Sequence, residues 1–248
     1  MTSDREQFLR EMGLGPVWKL RRVPAPLPVE ELVTPIPADH GLLPDSARPS
    51  EPAIAATTSL APMAWDELAA TVAACRQCRL CETRKQAVLG VGDVNADWLF
   101  VGEGPGAEED ERGEPFVGQA GKLLDSMMAA IGLKRGQGVY IANAVKCRPP
   151  ENRTPAPEEI AACRPYLERQ IELIKPKLIV ALGRPAAQTL LQTDVKIAAA
   201  RGKLHDYHGI PLIVTYHPAY LLRTLLDKAK AWEDLCFMRR TMKPQQEG

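Results

Sequence analysis

The sequence predicts an α/β fold, a mainly parallel, four-stranded sheet covered by helices on both faces. Four short apolar runs have the length and composition of buried strands, and helical patterns separate them. The resulting order β-α-β-α-β-α-β is typical of a parallel sheet. Ligands of such sheets bind beyond the carboxyl ends of the strands. The residues that follow each apolar run are therefore the first candidates for a functional site.

The first predicted strand spans residues 98–101 and ends at Gly102, and the other three span residues 139–145, 177–183 and 211–216. Apolar residues at helical spacing predict three connecting helices, over residues 122–131, 158–174 and 186–191. Pro165 lies inside the second of these helices, where the missing N–H and the ring are expected to kink or split it.

Proline content marks the start of the folded domain. Nine prolines fall between Pro24 and Pro62, among alanine, serine and threonine with few aromatic residues. This composition is typical of an extended linker that buries too little surface to fold. We therefore predict an N-terminal segment with a disordered linker over residues 1–62 and the folded domain over residues 63–243.

Charge and hydropathy limit the classes of function. The 248 residues carry 31 basic and 31 acidic side chains, so a nucleic-acid site would have to be a local patch. The first residues are polar and include acids, and no apolar run approaches the ~20 residues of a membrane span. We expect a cytoplasmic protein, in which clustered cysteines are better candidates for a metal centre than for disulfides.

Four cysteines form two pairs that could share one metal centre: Cys75 with Cys78, and Cys147 with Cys163. The two-residue spacing of the first pair lets both thiolates bind from a single turn, at the end of a helix that begins near Trp65. Four thiolates suit either zinc or a [4Fe–4S] cluster, and simple buried thiols are a further alternative. Cys81 competes with Cys78 for the second position.

Chemically suggestive side chains follow three of the predicted strands. A glycine-rich acidic turn with Glu103 and Glu109 comes after the first, Asn143 ends the second, and His217 follows the last. Individually, each has a structural explanation as a solvated acid, a turn cap or a structural histidine. Their convergence on one edge of a parallel sheet instead predicts a binding site.

Several ordered motifs extend this pattern from Ala74 to Leu235: Cys75-x-x-Cys78, Gly102-Glu-Gly-Pro-Gly106, Gly113-Glu-Pro-Phe-Val-Gly118, Asn143-Ala-Val-Lys-Cys-Arg-Pro-Pro150 and His217-Pro-Ala-Tyr-Leu-Leu-Arg223. Together they resemble the family 4 uracil-DNA glycosylases, the iron–sulfur branch of the uracil-DNA glycosylase superfamily. The resemblance implies an α/β/α sandwich, uracil excision from single- or double-stranded DNA, and a [4Fe–4S] cluster on Cys75, Cys78, Cys147 and Cys163.

The resemblance also suggests roles for the residues at the sheet edge. Phe116 would stack on the flipped uracil and Asn143 would read its edge, while His217 would stabilise the departing uracil anion. Superfamily members with a water-activating Asp carry it at the position of Gly104, which we place in the uracil pocket. The acid must then come from elsewhere. Candidates for the catalytic acids and for water positioning are Glu109 first, then Glu103 and Asn152.

DNA contacts are expected from basic side chains near these motifs: Arg148, Arg153, Arg201 and Arg223. A side chain of the segment Tyr220-Leu221-Leu222 would enter the vacated base stack, with core packing as the alternative for Leu221 and Leu222. We expect a monomer whose linker binds a replication or repair protein. The competing hypothesis is a non-catalytic, metal-stabilised nucleic-acid-binding module of a replication protein. A nucleotide-phosphate enzyme is disfavoured because the glycine turn is acidic.

Overall fold

A computed structural model of the chain describes residues 63–242. The predicted linker over residues 1–62 lies outside the described residues, so the domain boundary stays a prediction. Between residues 63 and 242, no helix combines the length and the apolar character needed to cross a membrane.

One sheet of six strands lies at the centre of the described residues, in the order β1-β3-β2-β4-β6-β5. The strands are β1 (Val91–Gly92), β2 (Trp98–Gly102), β3 (Val139–Asn143), β4 (Leu178–Leu182), β5 (Leu204–Tyr207) and β6 (Ile210–Thr215). The four inner strands are parallel, as predicted. The predicted number of strands is wrong, because antiparallel edge strands β1 and β5 extend the sheet to six. Neither edge strand is an apolar run: β1 has two residues and β5 reads Leu-His-Asp-Tyr.

Nine α-helices connect and flank the strands within residues 63–242: α1 (Trp65–Ala74), α2 (Leu80–Thr83), α3 (Ala107–Arg112), α4 (Gln119–Ala130), α5 (Pro157–Ile174), α6 (Arg184–Leu191), α7 (Ile197–Ala200), α8 (Pro218–Arg223) and α9 (Lys228–Met242). Helix α5 continues through Pro165, contrary to the expected kink or split. Seven of its side chains are buried, and this tertiary packing offsets the local cost of proline.

Helices cover both faces of the sheet and confirm the predicted architecture. Residues of β2 alternate between the faces, with Leu99 and Val101 in one apolar cluster and Trp98 and Phe100 in the other. The first cluster includes residues of α5 and α6, and the second includes residues of α4, α8 and α9. A third, smaller cluster packs α1 against α5 around the cysteines.

Candidate active site

A cavity of about 740 Å³ opens at the carboxyl ends of the parallel strands. We call it the cleft. Nine of the residues predicted for a site line it: Glu103, Gly104, Glu109, Phe116, Asn143, Asn152, Arg153, His217 and Arg223. Sequence reasoning did not assign Thr154 or Tyr216 to the cleft. Tyr216 could have been predicted, because it ends the last of the predicted strands directly before His217.

Asn143 presents an unpaired acceptor to the cleft. Its side chain is 2% exposed, and among the described residues Oδ1 has no hydrogen-bond partner. Gly102 lies beside it in the sheet register, and a Cβ at that position would collide with Asn143 Oδ1 and with the ring of Phe116. A buried acceptor without a donor costs about 1–3 kcal/mol. This arrangement is expected where a ligand N–H completes the hydrogen bond.

Phe116 is an aromatic platform held in an unusual backbone conformation. Its φ is 56°, a left-handed value that costs a bulky residue about 1–3 kcal/mol unless the surroundings enforce it. The next two amides, of Val117 and Gly118, donate to Glu109 Oε1 at 2.9 and 3.2 Å. The Phe116 ring lies 5.5 Å from the imidazole of His217, centroid to centroid, with the planes tilted by 30°.

His217 is held in a single tautomer by the helix that follows it. The N–H of Ala219 donates to His217 Nδ1 at 3.1 Å, so the neutral ring carries its proton on Nε2. Burial, assisted by the charge of Arg223 and opposed by that of Glu109, lowers the pKa of His217 to about 4. At neutral pH this histidine is therefore an uncharged hydrogen-bond donor.

The two candidate glutamates have different surroundings. Glu109 accepts three backbone hydrogen bonds, since the N–H of Gly106 donates to Oε2 at 3.1 Å in addition to the two at Oε1. A carboxylate has about four acceptor sites, so one remains for a further donor. Burial raises the pKa of Glu103, and a hydrogen bond from Thr154 partly opposes this shift. Asn152 Oδ1 accepts from Arg148 Nε at 2.8 Å.

The residues predicted to contact DNA divide into two groups. Arg153 and Arg223 line the cleft, although Arg153 also forms two hydrogen bonds with Glu159, at 2.7 and 2.8 Å. Arg201 does not line the cleft, because its side chain is 15% exposed and pairs with Asp234 at 3.0 Å.

The two leucines predicted to enter the base stack differ in their exposure. Leu221 is 1% exposed and packs in the core, which corrects the expectation that it enters the base stack. Leu222 is 41% exposed.

The four cysteines expected to bind a metal line one small cavity, and Cys81 is not among the described residues that line it. Hydrogen-bond donors face three of the sulfurs: Arg84 Nη1 lies 2.7 Å from Cys147 Sγ, Tyr166 Oη 3.3 Å from Cys75 Sγ, and the Lys146 amide 3.1 Å from Cys163 Sγ. Donors of this kind stabilise thiolates. Sequence reasoning missed Arg84 and Tyr166, because both come from outside the cysteine motifs.

The four cysteines supply the kind of ligand that both metal centres left open by the sequence would use. No group of three or more Cys, His, Asp or Glu side chains in residues 63–242 is arranged to hold a single metal ion. Zinc needs its thiolates about 2.3 Å from one point, whereas each cysteine of a [4Fe–4S] cluster binds a different iron. The four cysteines around the cavity match the ligand number of a [4Fe–4S] cluster, with one thiolate for each iron.

Comparison with known proteins identifies the class. The profile of the uracil DNA glycosylase superfamily matches residues 89–236, and the chain belongs to this superfamily. Within it, the chain is similar to type-4 uracil-DNA glycosylases. It is 47% identical over 165 residues to that of Archaeoglobus fulgidus (63% of this chain, 82% of that protein), and 44% over 170 residues to that of Pyrobaculum aerophilum (65% and 86%). For that of Thermotoga maritima the identity is 49% over 151 residues (60% and 78%).

Proposed function

We propose that this protein is a DNA-repair glycosylase that flips uracil out of DNA and hydrolyses its N-glycosidic bond, leaving an abasic site. The superfamily membership and the type-4 relatives support this function. The structural observation that carries it is the unpaired, buried Oδ1 of Asn143 beside the ring of Phe116. An acceptor next to an aromatic platform suits a flat ring with an N–H on its edge.

Uracil recognition follows from the donors and acceptors of one amide. Asn143 Oδ1 accepts from uracil N3–H, and its Nδ2 donates to uracil O4. Cytosine has an acceptor at N3 and an amino group at C4, which reverses both positions. Each polar group left unpaired in the buried site costs about 1–3 kcal/mol, which supplies the discrimination. Phe116 stacks on the flipped ring and adds about 1–3 kcal/mol with little preference among bases. The backbone at Gly104 borders the same pocket.

Cleavage of the glycosidic bond leaves negative charge on uracil O2 and positive charge on the sugar. His217 donates from Nε2 to the developing anion, and a neutral donor leaves no charge to neutralise when substrate is absent. Glu109 uses its remaining acceptor site to orient the attacking water and stabilise the sugar cation. Glu103 shapes the pocket near the base. Asn152, held by Arg148, helps to position water or phosphate.

The roles of the two glutamates can be tested by replacing each with glutamine. Glu109→Gln is expected to lower the single-turnover excision rate about 10- to 50-fold, because its NH₂ group must face a backbone N–H and at least one amide loses its acceptor. Glu103→Gln is expected to stay within about threefold of wild type, since it keeps the size of the side chain and costs no backbone acceptor. A larger rate loss for Glu103→Gln than for Glu109→Gln would instead assign the water and cation role to Glu103.

DNA binding is assigned to local cations at the mouth of the cleft. Arg223 lines the cleft, and Arg148 is partly exposed and donates to Asn152; neither forms an ion pair with another described residue. Both are therefore available for phosphate contacts, with Arg153 as a partly neutralised third cation. Leu222 is the side chain that enters the vacated stack.

The cysteine cavity is proposed to hold a [4Fe–4S] cluster on Cys75, Cys78, Cys147 and Cys163. Bound there, the cluster would link α1 to the segment between β3 and α5. Hydrolysis of the N-glycosidic bond itself requires no electron transfer. Through this link the chain orients Arg148 and Asn152 at the mouth of the cleft.

Substitutions at Cys78 and Cys81 test the ligand assignment. Cys78→Ser is expected to reduce bound iron from about four per chain to near zero and to abolish the visible absorbance of the cluster. The matched control Cys81→Ser should keep both, because Cys81 does not line the cavity within the described residues. Iron content, zinc content and absorbance of the purified variants decide the matter. Stoichiometric zinc, or loss of iron in Cys81→Ser alone, would contradict the proposal.

We also propose that the protein acts as a cytoplasmic monomer, since this chain supplies every residue to which a catalytic role is assigned and a reducing compartment keeps the proposed cysteine ligands as thiols. Residues 1–62 are proposed to tether a replication or repair protein through their proline-rich stretch.

The activity itself is tested with single- and double-stranded oligonucleotides that contain one uracil, followed by alkali. Strand breaks confined to the uracil position are expected. Metal-loaded protein that binds these oligonucleotides without producing alkali-sensitive sites would favour the competing hypothesis, a non-catalytic nucleic-acid-binding module.

A further inference from the structure

Arg135 contacts the backbone of the aromatic platform from outside the cleft. Its Nη1 donates to the carbonyl of Pro115 and its Nη2 to that of Phe116, both at 2.9 Å. Its Nε donates to Asp125 Oδ1 at 3.0 Å. Arg135 itself is not one of the residues that line the cleft. All its contacts with the site therefore pass through the loop that carries Phe116.

This loop is restrained from several directions. Glu109 accepts the two amides that follow Phe116, on one side of the residue. On the other side, helix α4 approaches so closely that a Cβ at Gly121 would collide with the Phe116 carbonyl oxygen. Arg135 binds that same carbonyl and the preceding one. These contacts surround a residue whose left-handed φ of 56° is unfavourable for phenylalanine.

The guanidinium of Arg135 is preorganised for this contact. It projects from a tight turn in which the Gln137 amide donates to the Lys134 carbonyl at 3.1 Å, with Gly136 at a φ of 77°. Asp125, on α4, fixes the orientation of the guanidinium, and the Arg135 side chain is 23% exposed. A surface ion pair would need only Asp125. The planar fork of arginine presents two N–H groups in a fixed geometry to two successive carbonyls, whereas a lysine ammonium is a compact charge on a flexible stem.

We propose that Arg135 is a positioning residue for base recognition, which holds Phe116 in the conformation that stacks on the flipped uracil. This inference rests on the proposed function. It predicts that loss of Arg135 weakens the part of binding that depends on the base and spares the part that depends on the DNA backbone.

Two DNA ligands separate these parts. The first contains 2′-fluoro-2′-deoxyuridine, whose electron-withdrawing fluorine slows release of the base, and the second has a tetrahydrofuran abasic site at the same position. Arg135→Ala is expected to bind the first about tenfold more weakly and the second as wild type does, and inhibition by free uracil should weaken about tenfold. Arg135→Lys keeps the charge beside Asp125. Its affinity for the first ligand should lie between those of wild type and Arg135→Ala.

The control variant is Arg112→Ala, which removes an exposed arginine 3.9 Å from Glu108 and should leave all three measurements unchanged. A double-mutant cycle with Phe116→Ala then tests the route of the effect. If Arg135 acts through Phe116, adding Arg135→Ala to Phe116→Ala causes no further loss of uracil-dependent binding.

Equal weakening on both DNA ligands, or fully additive losses in the cycle, would overturn the inference. So would Arg135 variants that keep wild-type binding while the wild-type enzyme excises uracil normally. Failure of the wild-type enzyme to release uracil would instead overturn the proposed function, which keeps the two outcomes distinct.

Discussion

Replacing Asn143 with alanine is expected to lower the rate of uracil excision about 10²–10³-fold, because two hydrogen bonds to the flipped base are lost in a buried site. The expected loss in the free energy of unfolding is small compared with the loss of activity. Asn143 Oδ1 has no partner among the described residues, so its removal breaks no hydrogen bond to another part of the chain. The melting temperature should therefore fall far less than the activity does.

Single-turnover kinetics on a uracil-containing oligonucleotide, alongside thermal unfolding, measure both quantities. The matched control is Asn95→Ala, which truncates an exposed asparagine on the loop between β1 and β2. A rate within about threefold of wild type in the Asn143 variant would show that this amide does not read the base. A rate loss that follows the fraction of unfolded protein would assign Asn143 a structural role.

Local sequence patterns predicted the centre of the fold correctly. The run at residues 98–101 became β2, with one further residue, because a short stretch of bulky apolar residues fits a strand buried on both faces. Asn143 and His217 met at one cleft because carboxyl ends of parallel strands share an edge. The same reasoning could not find β5, whose residues alternate between exposed positions and partly or fully buried ones without an apolar run.

The misplaced or missing parts of the site depend on contacts between distant segments. Leu221 and Leu222 are adjacent residues of the same type, so the local sequence does not show which of them is buried. The packing of α8 against the core buries Leu221. Arg84 and Arg135 were not predicted, because their contacts lie 63 and 19 to 20 residues away along the chain. The three backbone hydrogen bonds of Glu109 likewise required the loop at Val117 and Gly118 to fold back.

His217→Ala is expected to lower the excision rate about 10²–10³-fold, the typical loss when one donor to a developing oxyanion is removed. The effect should appear in the chemical step, leaving the affinity for abasic-site DNA near that of wild type. The control is His208→Ala, an exposed histidine in the turn between β5 and β6.

The pH dependence tests the mechanism more sharply. Because the pKa of His217 is lowered to about 4, the ring stays neutral from pH 5 to 8 and its titration should leave no inflection in the single-turnover rate. An imidazolium donor with an ordinary pKa near 6.5 would instead produce a change in that range. A rate that rises as the pH falls through 6.5, and that loses this rise in His217→Gln, would contradict a neutral donor.

The same lowered pKa predicts the sign of a stability change. The unfolded chain binds a proton at His217 below about pH 6.5, whereas the folded protein does so only near pH 4. His217 therefore destabilises the fold progressively as the pH falls from 6.5 to 4, by about 3 kcal/mol at the lower limit. Denaturant unfolding of wild type and of His217→Gln, which cannot titrate, should diverge over this interval and run parallel above it. Parallel curves throughout would mean that the imidazole is solvated enough to accept a proton, and the neutral donor in the cleft would lose its physical basis.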